Sequence, residues 1–206
     1  MTQNLSRARW AAIAAAAVLT ACASGPRFDY TVPDQPEGSS GYAEKPGWAT
    51  KRFAVAAANP LATDAGYQVL KAGGTAVDAA VAVQMVLTLV EPQSSGIGGG
   101  AFLLHAAGSK VEAYDGRETA PRGATENLFL QADGKPMAFH DAVVGGRSVG
   151  VPGTVRMLEQ AHKEHGKLAW SALMQPAIQL AENGFKVSAR LHTLLASEKY
   201  LKQDPA

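Results

Sequence analysis

The segment AVDAAVAVQMVLTLV, residues 76 to 90, is apolar on nearly every helical face after Asp78. In a soluble protein, a helix of that kind has to be surrounded by other elements. Its limits are written on either side: Thr75 and Asp78 form a T-x-x-D start signal, and Glu91-Pro92 ends it. The neighbours must come from the flanking sequence. Asn59 can accept a hydrogen bond from the following turn and Pro60 suits a first helical position, so a helix is predicted from Pro60 to about Ala72, stopped by Gly73-Gly74. With 47% hydrophobic and 18% charged residues in 206, the chain has apolar material for one packed core.

Lys51 to Ala58 (KRFAVAAA) is short, apolar and partly β-branched, and reads as a first strand. Ala101 to His105 and Val111 to Asp115, separated by Gly108-Ser109, read as a hairpin. A polar stretch runs from Arg117 to about Asp141. Periodicity then predicts helices over Gly153 to Glu164, Trp170 to Asn183 and Ser188 to Leu201, with breaks at Gly166 and Gly184 and a kink or division at Pro176. Helices outnumber strands, yet the strands are apolar enough for a buried sheet. The class is α/β, with two or three strands, too few to complete such a sheet.

The N-terminus has a different character. Arg7 and Arg9 precede an apolar run from Trp10 to Leu19, followed by small residues, which is the layout of an export signal. That run is about half of the roughly 20 residues a membrane-crossing helix needs. Leu19-Thr20-Ala21-Cys22 resembles the lipobox of bacterial lipoproteins, in which the cysteine is lipidated and becomes the mature first residue. Cys22 is the only cysteine, so a disulfide within the chain is excluded, and lipidation gives the thiol a reason to exist. Plain cleavage after Ala23 at the A-x-A pattern of Ala21-Cys22-Ala23 is the alternative. A nucleophilic role for Cys22 with its own amine as base is disfavoured, since lipidation acylates that amine. The expected organisation is a lipoprotein signal over 1–21, a Pro/Gly/Ser-rich tether over 22–50, and a domain over 51–206. The expected location is the bacterial outer membrane facing the periplasm, with Cys22 carrying the anchor.

A formal net charge of +1 leaves no basic footprint for nucleic acid. Gln93-Ser94-Ser95-Gly96-Ile97-Gly98-Gly99-Gly100 is a glycine cluster between a buried helix and a strand, where backbone can approach a ligand or another segment closely. It lacks the Gly-Lys-Ser/Thr of a phosphate loop, and no G-x-S-x-G elbow is present. By itself it is a tight connection beside a core. Asp115-Gly116-Arg117-Glu118-Thr119-Ala120-Pro121 sets an arginine just past a strand end, and its planar fork can bind a carboxylate through two parallel hydrogen bonds. Taken alone, Arg117 would be a surface residue paired with Glu118 or Asp115. Gly145 to Val155 (GGRSVGVPGTV) is a second glycine-rich passage, leading into a helix start. The five histidines show no metal-ligand spacing, and no metal or cofactor is expected.

In this order, SSGIGGG, AYDGRETAP, SVGVPGTV and QPAIQLAENGFKVS resemble the γ-glutamyltransferase family, and the resemblance covers most of the chain from about Phe53. It implies an N-terminal-nucleophile hydrolase fold, an αββα four-layer sandwich of which only the N-terminal portion is present here. It also implies transfer of the γ-glutamyl group of glutathione and related compounds to water or to amino acid or peptide acceptors. In that family a precursor cuts itself into a large and a small subunit, and the small subunit begins with the catalytic threonine. Arg117 matches the arginine that binds the α-carboxylate of the γ-glutamyl moiety, and Glu118 is a second residue that could hold its guanidinium.

The threonine segment, the acidic residue that holds the substrate amine and the oxyanion residues would lie beyond residue 206. The expectation is therefore an N-terminal part of a large subunit that neither self-processes nor turns over substrate by itself. Two other readings stand beside it: a related cephalosporin-type acylase, and a non-catalytic, membrane-tethered lipoprotein module.

Overall fold

A computed structural model describes Gly47 and residues 49–201. The expected signal, most of the expected tether and Cys22 lie outside the described residues. Helix α1, Pro60–Lys71, starts where the Asn59 side chain accepts a hydrogen bond from the Leu61 amide at 3.0 Å. At its other end, Gly73 takes φ +88°, and the amides of Gly73 and Gly74 donate to the carbonyls of Leu70 and Val69, each at 3.0 Å. That six-to-one closure requires a left-handed residue, which glycine supplies without a Cβ penalty.

Helix α2, Ala76–Val90, carries the predicted capping box: the Asp78 amide donates to Thr75 Oγ1 at 3.2 Å and the Thr75 amide to Asp78 Oδ2 at 2.8 Å. Strands β1 (Ala101–Ala107) and β2 (Lys110–Gly116) pair antiparallel in the register Ala101↔Gly116 through Ala107↔Lys110. After a loop region with a short helix α3, Phe139–Val143, come α4 (Thr154–His165), α5 (Trp170–Asn183) and α6 (Ala189–Ser197).

The apolar α2 is enclosed as its sequence demands. It packs against α1, α4 and α5. Val69, Val81, Ala82, Met157, Leu158 and Leu173 form one buried cluster, and Ala62, Ala65, Val86 and Val90 a second. Full burial of a valine such as Val81, Val86 or Val90 contributes about 1.5–3 kcal/mol. Close approach of α1 and α2 depends on Gly66, since a Cβ there would meet Val83 Cγ2 at 2.6 Å and Val55 Cγ1 at 2.9 Å.

Two elements differ from expectation, and at Pro176 one of the two alternatives is ruled out. Lys51 to Ala58 forms no strand. Its side chains alternate in exposure as a strand's would, but among the described residues the only sheet is the β1–β2 pair, and a strand exists only with a partner to complete its hydrogen bonds. Pro176 does not divide its helix, which runs as one element from Trp170 to Asn183. Leu173 and Met174 hold one half of α5 in the first cluster while Ala177 and Leu180 hold the other in the second, so tertiary packing outweighs the lost amide. Helix α6 stops at Ser197, four residues short of the predicted end, after its Ser188 cap accepts from the Leu191 amide at 3.1 Å.

Candidate functional site

The three glycine-bearing stretches, distant in sequence, meet at one place. Gly99 is the meeting point: its carbonyl accepts from the Gly153 amide at 3.1 Å, the Thr154 amide at 3.3 Å and Thr154 Oγ1 at 3.0 Å. The start of α4 is thereby tied to the glycine loop that precedes β1. Thr119 and Val151 exchange backbone hydrogen bonds at 3.3 and 2.8 Å, which joins the segment after β2 to the segment before α4. Small side chains are needed for this closeness. A Cβ on Gly153 would press into the Gly116 carbonyl, and one on Gly100 would strike the Glu118 carboxylate and lie 2.5 Å from the Glu118 amide nitrogen.

Between these segments lies an open cleft of about 540 Å³, whose walls include Gln84, Ser95, Gly98, Gly100, Glu118 and Thr154. Gln84, on α2, donates from Nε2 to Ser95 Oγ at 2.8 Å and so anchors the loop to the buried helix. The cleft is lined by backbone and short polar groups on a scaffold fixed by the core, an arrangement suited to holding a polar ligand.

Glu118 belongs to the cleft wall, whereas Arg117 lies outside that wall with its side chain 65% exposed. The two are ion-paired, Arg117 Nη2 standing 3.6 Å from Glu118 Oε1. Arg117 is further fixed through its backbone, its amide donating to Asp115 Oδ1 at 2.9 Å. Glu118 Oε2 is buried and has no hydrogen-bond partner in the structure. A carboxylate oxygen in that position calls for a donor. The pair thus sits at the rim, Arg117 exposed and Glu118 in the cleft wall, with one carboxylate oxygen facing the guanidinium and the other buried.

Sequence reasoning did not find Gln84 and Thr154 as cleft residues. Gln84 sits in a run that announces only a buried helix, and Thr154 in one that announces only a helix start. Each acquires its role from a loop residue 11 or 55 positions away, and no local pattern records such a contact.

The family model described as gamma-glutamyltranspeptidase matches residues 62–206. The chain is 46% identical over 139 residues to the glutathione hydrolase proenzyme of Bacillus subtilis strain 168, covering 66% of this chain and 24% of that protein. It is 44% identical over 135 residues to the glutathione hydrolase proenzyme of Pseudomonas aeruginosa, with the same two coverages, 66% and 24%. The chain thus spans about a quarter of the length of these relatives. Among solved structures, Helicobacter pylori gamma-glutamyltranspeptidase superposes with a TM-score of 0.72 at 39% identity, over 78% of this chain and 46% of that one. The cephalosporin acylase of Bacillus halodurans superposes with a TM-score of 0.54 at 32% identity, over 74% of this chain and 29% of that one.

Proposed function

The chain belongs to the gamma-glutamyltranspeptidase family, and from that premise we propose that it is the front part of an enzyme that moves the γ-glutamyl group of glutathione and related compounds to water or to amino acid or peptide acceptors. Its described residues form part of the N-terminal-nucleophile hydrolase fold, the α/β class expected from the sequence.

The observation that carries the reading is the Arg117–Glu118 pair beside the glycine-lined cleft. Arg117 presents an accessible guanidinium, and Glu118 Oε1 braces it. Such a fork can take the α-carboxylate of a γ-glutamyl substrate through two parallel hydrogen bonds and so fix where the γ-carbonyl points. Chain beyond residue 206 supplies the nucleophile in this reading. A threonine at a newly made N-terminus attacks the γ-carbonyl, its own α-amine taking the hydroxyl proton, and backbone N–H groups hold the oxyanion. The amine of the remaining peptide leaves as the threonine ester forms, and water or an acceptor amine then attacks that ester. The partner is accordingly a small subunit cut from the same precursor, and residues 1–206 by themselves are inactive. Export and lipid attachment at Cys22 complete the proposal, supported by the Arg-led apolar run ending in Leu19-Thr20-Ala21-Cys22; loss of lipid labelling in Cys22→Ser tests it.

The functional test compares hydrolysis of γ-glutamyl and glutaryl amides by the product of the whole gene, by its Arg117→Ala variant and by the 206-residue chain. Expected are a preference for γ-glutamyl amides, a KM raised at least tenfold in Arg117→Ala, and no turnover by the 206-residue chain. A glutaryl preference would favour an acylase activity like that of the cephalosporin acylase. An unchanged KM in Arg117→Ala removes the assigned contact.

A further inference from the structure

At the far end of the hairpin from the cleft, three metal-binding side chains come together from three elements. His105 on β1 and Glu112 on β2 are directly opposite in the register. His165 closes α4 above them. Glu112 Oε2 lies 3.6 Å from His105 Nδ1 and 3.3 Å from His165 Nε2, and all three ligand atoms fall within 4.8 Å of one another. We propose that His105, Glu112 and His165 form a site for a divalent transition metal of the Zn²⁺ class.

Distance supports this first. Ligand atoms about 2.0–2.1 Å from a tetrahedral zinc stand about 3.3–3.4 Å apart, close to both separations involving Glu112. The donor set supports it second. Two imidazoles and one carboxylate suit zinc and its neighbours, whereas calcium and magnesium take oxygen ligands. The third support is an unmet need: His105 Nδ1 is buried and has no hydrogen-bond partner.

The surroundings are arranged around these ligands. Lys110 Nζ donates to Glu112 Oε1 at 2.6 Å, which leaves Oε2 to face the two rings. Tyr114 places its hydroxyl 2.8 Å from His165 Nε2 and donates to Glu164 Oε2 at 2.6 Å. The two imidazole rings are stacked, centroids 3.9 Å apart at 23°. Joint ligation requires the stack to open by rotation of the rings. A bound ion would then clasp the turn end of the hairpin to the end of α4, two segments 60 residues apart.

The test uses the tag-free full chain, stripped with a chelator and titrated with Zn²⁺ by calorimetry and with Co²⁺ by visible absorption. Expected are one ion per chain, a tetrahedral Co²⁺ spectrum and a rise in the unfolding midpoint on Zn²⁺ addition. Glu112→Gln, which is near-isosteric, and His165→Asn should each weaken Zn²⁺ binding at least tenfold and abolish the rise, while His192→Asn on α6 should leave both unchanged. Absence of saturable binding overturns the proposal. So does binding that survives in Glu112→Gln and His165→Asn, because the ion then lies elsewhere.

Discussion

Thr154 fastens Gly99: its hydroxyl donates to the Gly99 carbonyl at 3.0 Å across 55 residues of sequence, and Thr154 is itself only 1% exposed. The contact makes the first residue of α4 part of the cleft wall. Thr154→Val keeps the shape and deletes the donor, while the Gly99 carbonyl keeps two backbone donors, so a loss of about 1 kcal/mol is expected. Thr154→Ser should recover most of it. Denaturant unfolding of the three proteins decides the matter; a valine variant as stable as the parent would show the hydroxyl bond contributes nothing.

Gly153 is held where only hydrogen fits. A Cβ there meets the Gly116 carbonyl and lies 3.0 Å from the Arg117 carbonyl oxygen, backbone that cannot swing aside as a side chain could. Gly153→Ala is expected to cost about 1–3 kcal/mol. Because the displaced backbone carries Arg117, the proposed turnover of γ-glutamyl substrates by the whole gene product should fall as well. Gly123 faces open space, and Gly123→Ala is expected to change stability by no more than about 0.5 kcal/mol. Equal midpoints for the two variants would contradict the packing argument.

Asp78 is fully buried and serves two elements at once. Besides capping α2, its carboxylate accepts from the Lys167 amide at 3.0 Å and the Leu168 amide at 3.3 Å, and it lies 3.3 Å from His162 Nε2. Asp78→Ala strands these donors together and removes a fully buried carboxylate that satisfies them, and a loss of about 3 kcal/mol is expected. Asp78→Asn, which retains one oxygen acceptor, should cost less. Chemical denaturation giving Asp78→Ala a loss below about 1 kcal/mol would be inconsistent with a network that joins α2 to the α4–α5 connection.

The same residue marks how far sequence reading reached. Asp78 as a capping residue follows from its spacing to Thr75, and Asn59, Pro60 and Gly73 define α1 equally well, because capping is settled within four or five residues. The hairpin was readable for the same reason, its two strands being joined by a short turn. Lys51 to Ala58 was misread because pairing depends on a partner that the local pattern does not contain. Pro176 does not divide α5, because the packing that carries the helix through it comes from α2. At the site, Arg117 and Glu118 stood out through the motif they share. Thr154 and Gln84 did not, and neither did His105 with His165, which no spacing rule connects and only the register of β1 with β2 and the end of α4 bring together.

Glu159 offers a pH test on the exposed side of α4. Lys163 Nζ lies 2.5 Å from its Oε1 and Arg156 Nη1 2.6 Å from its Oε2, so the carboxylate is held between cations one turn away on either side. Lys163 first, then Arg156, lowers the Glu159 carboxyl below its ordinary range. A carboxyl whose value is lower in the folded than in the unfolded chain contributes stability at pH above the unfolded value, and loses it as pH falls through the folded one. The gap in unfolding midpoint between the parent and Glu159→Gln should therefore be widest near neutral pH and close progressively on acidification. Added salt should narrow it at neutral pH, since the pairs are exposed and screened. A gap that stays constant from neutral to acid would mean that Glu159 acts through side-chain packing and not through its charge.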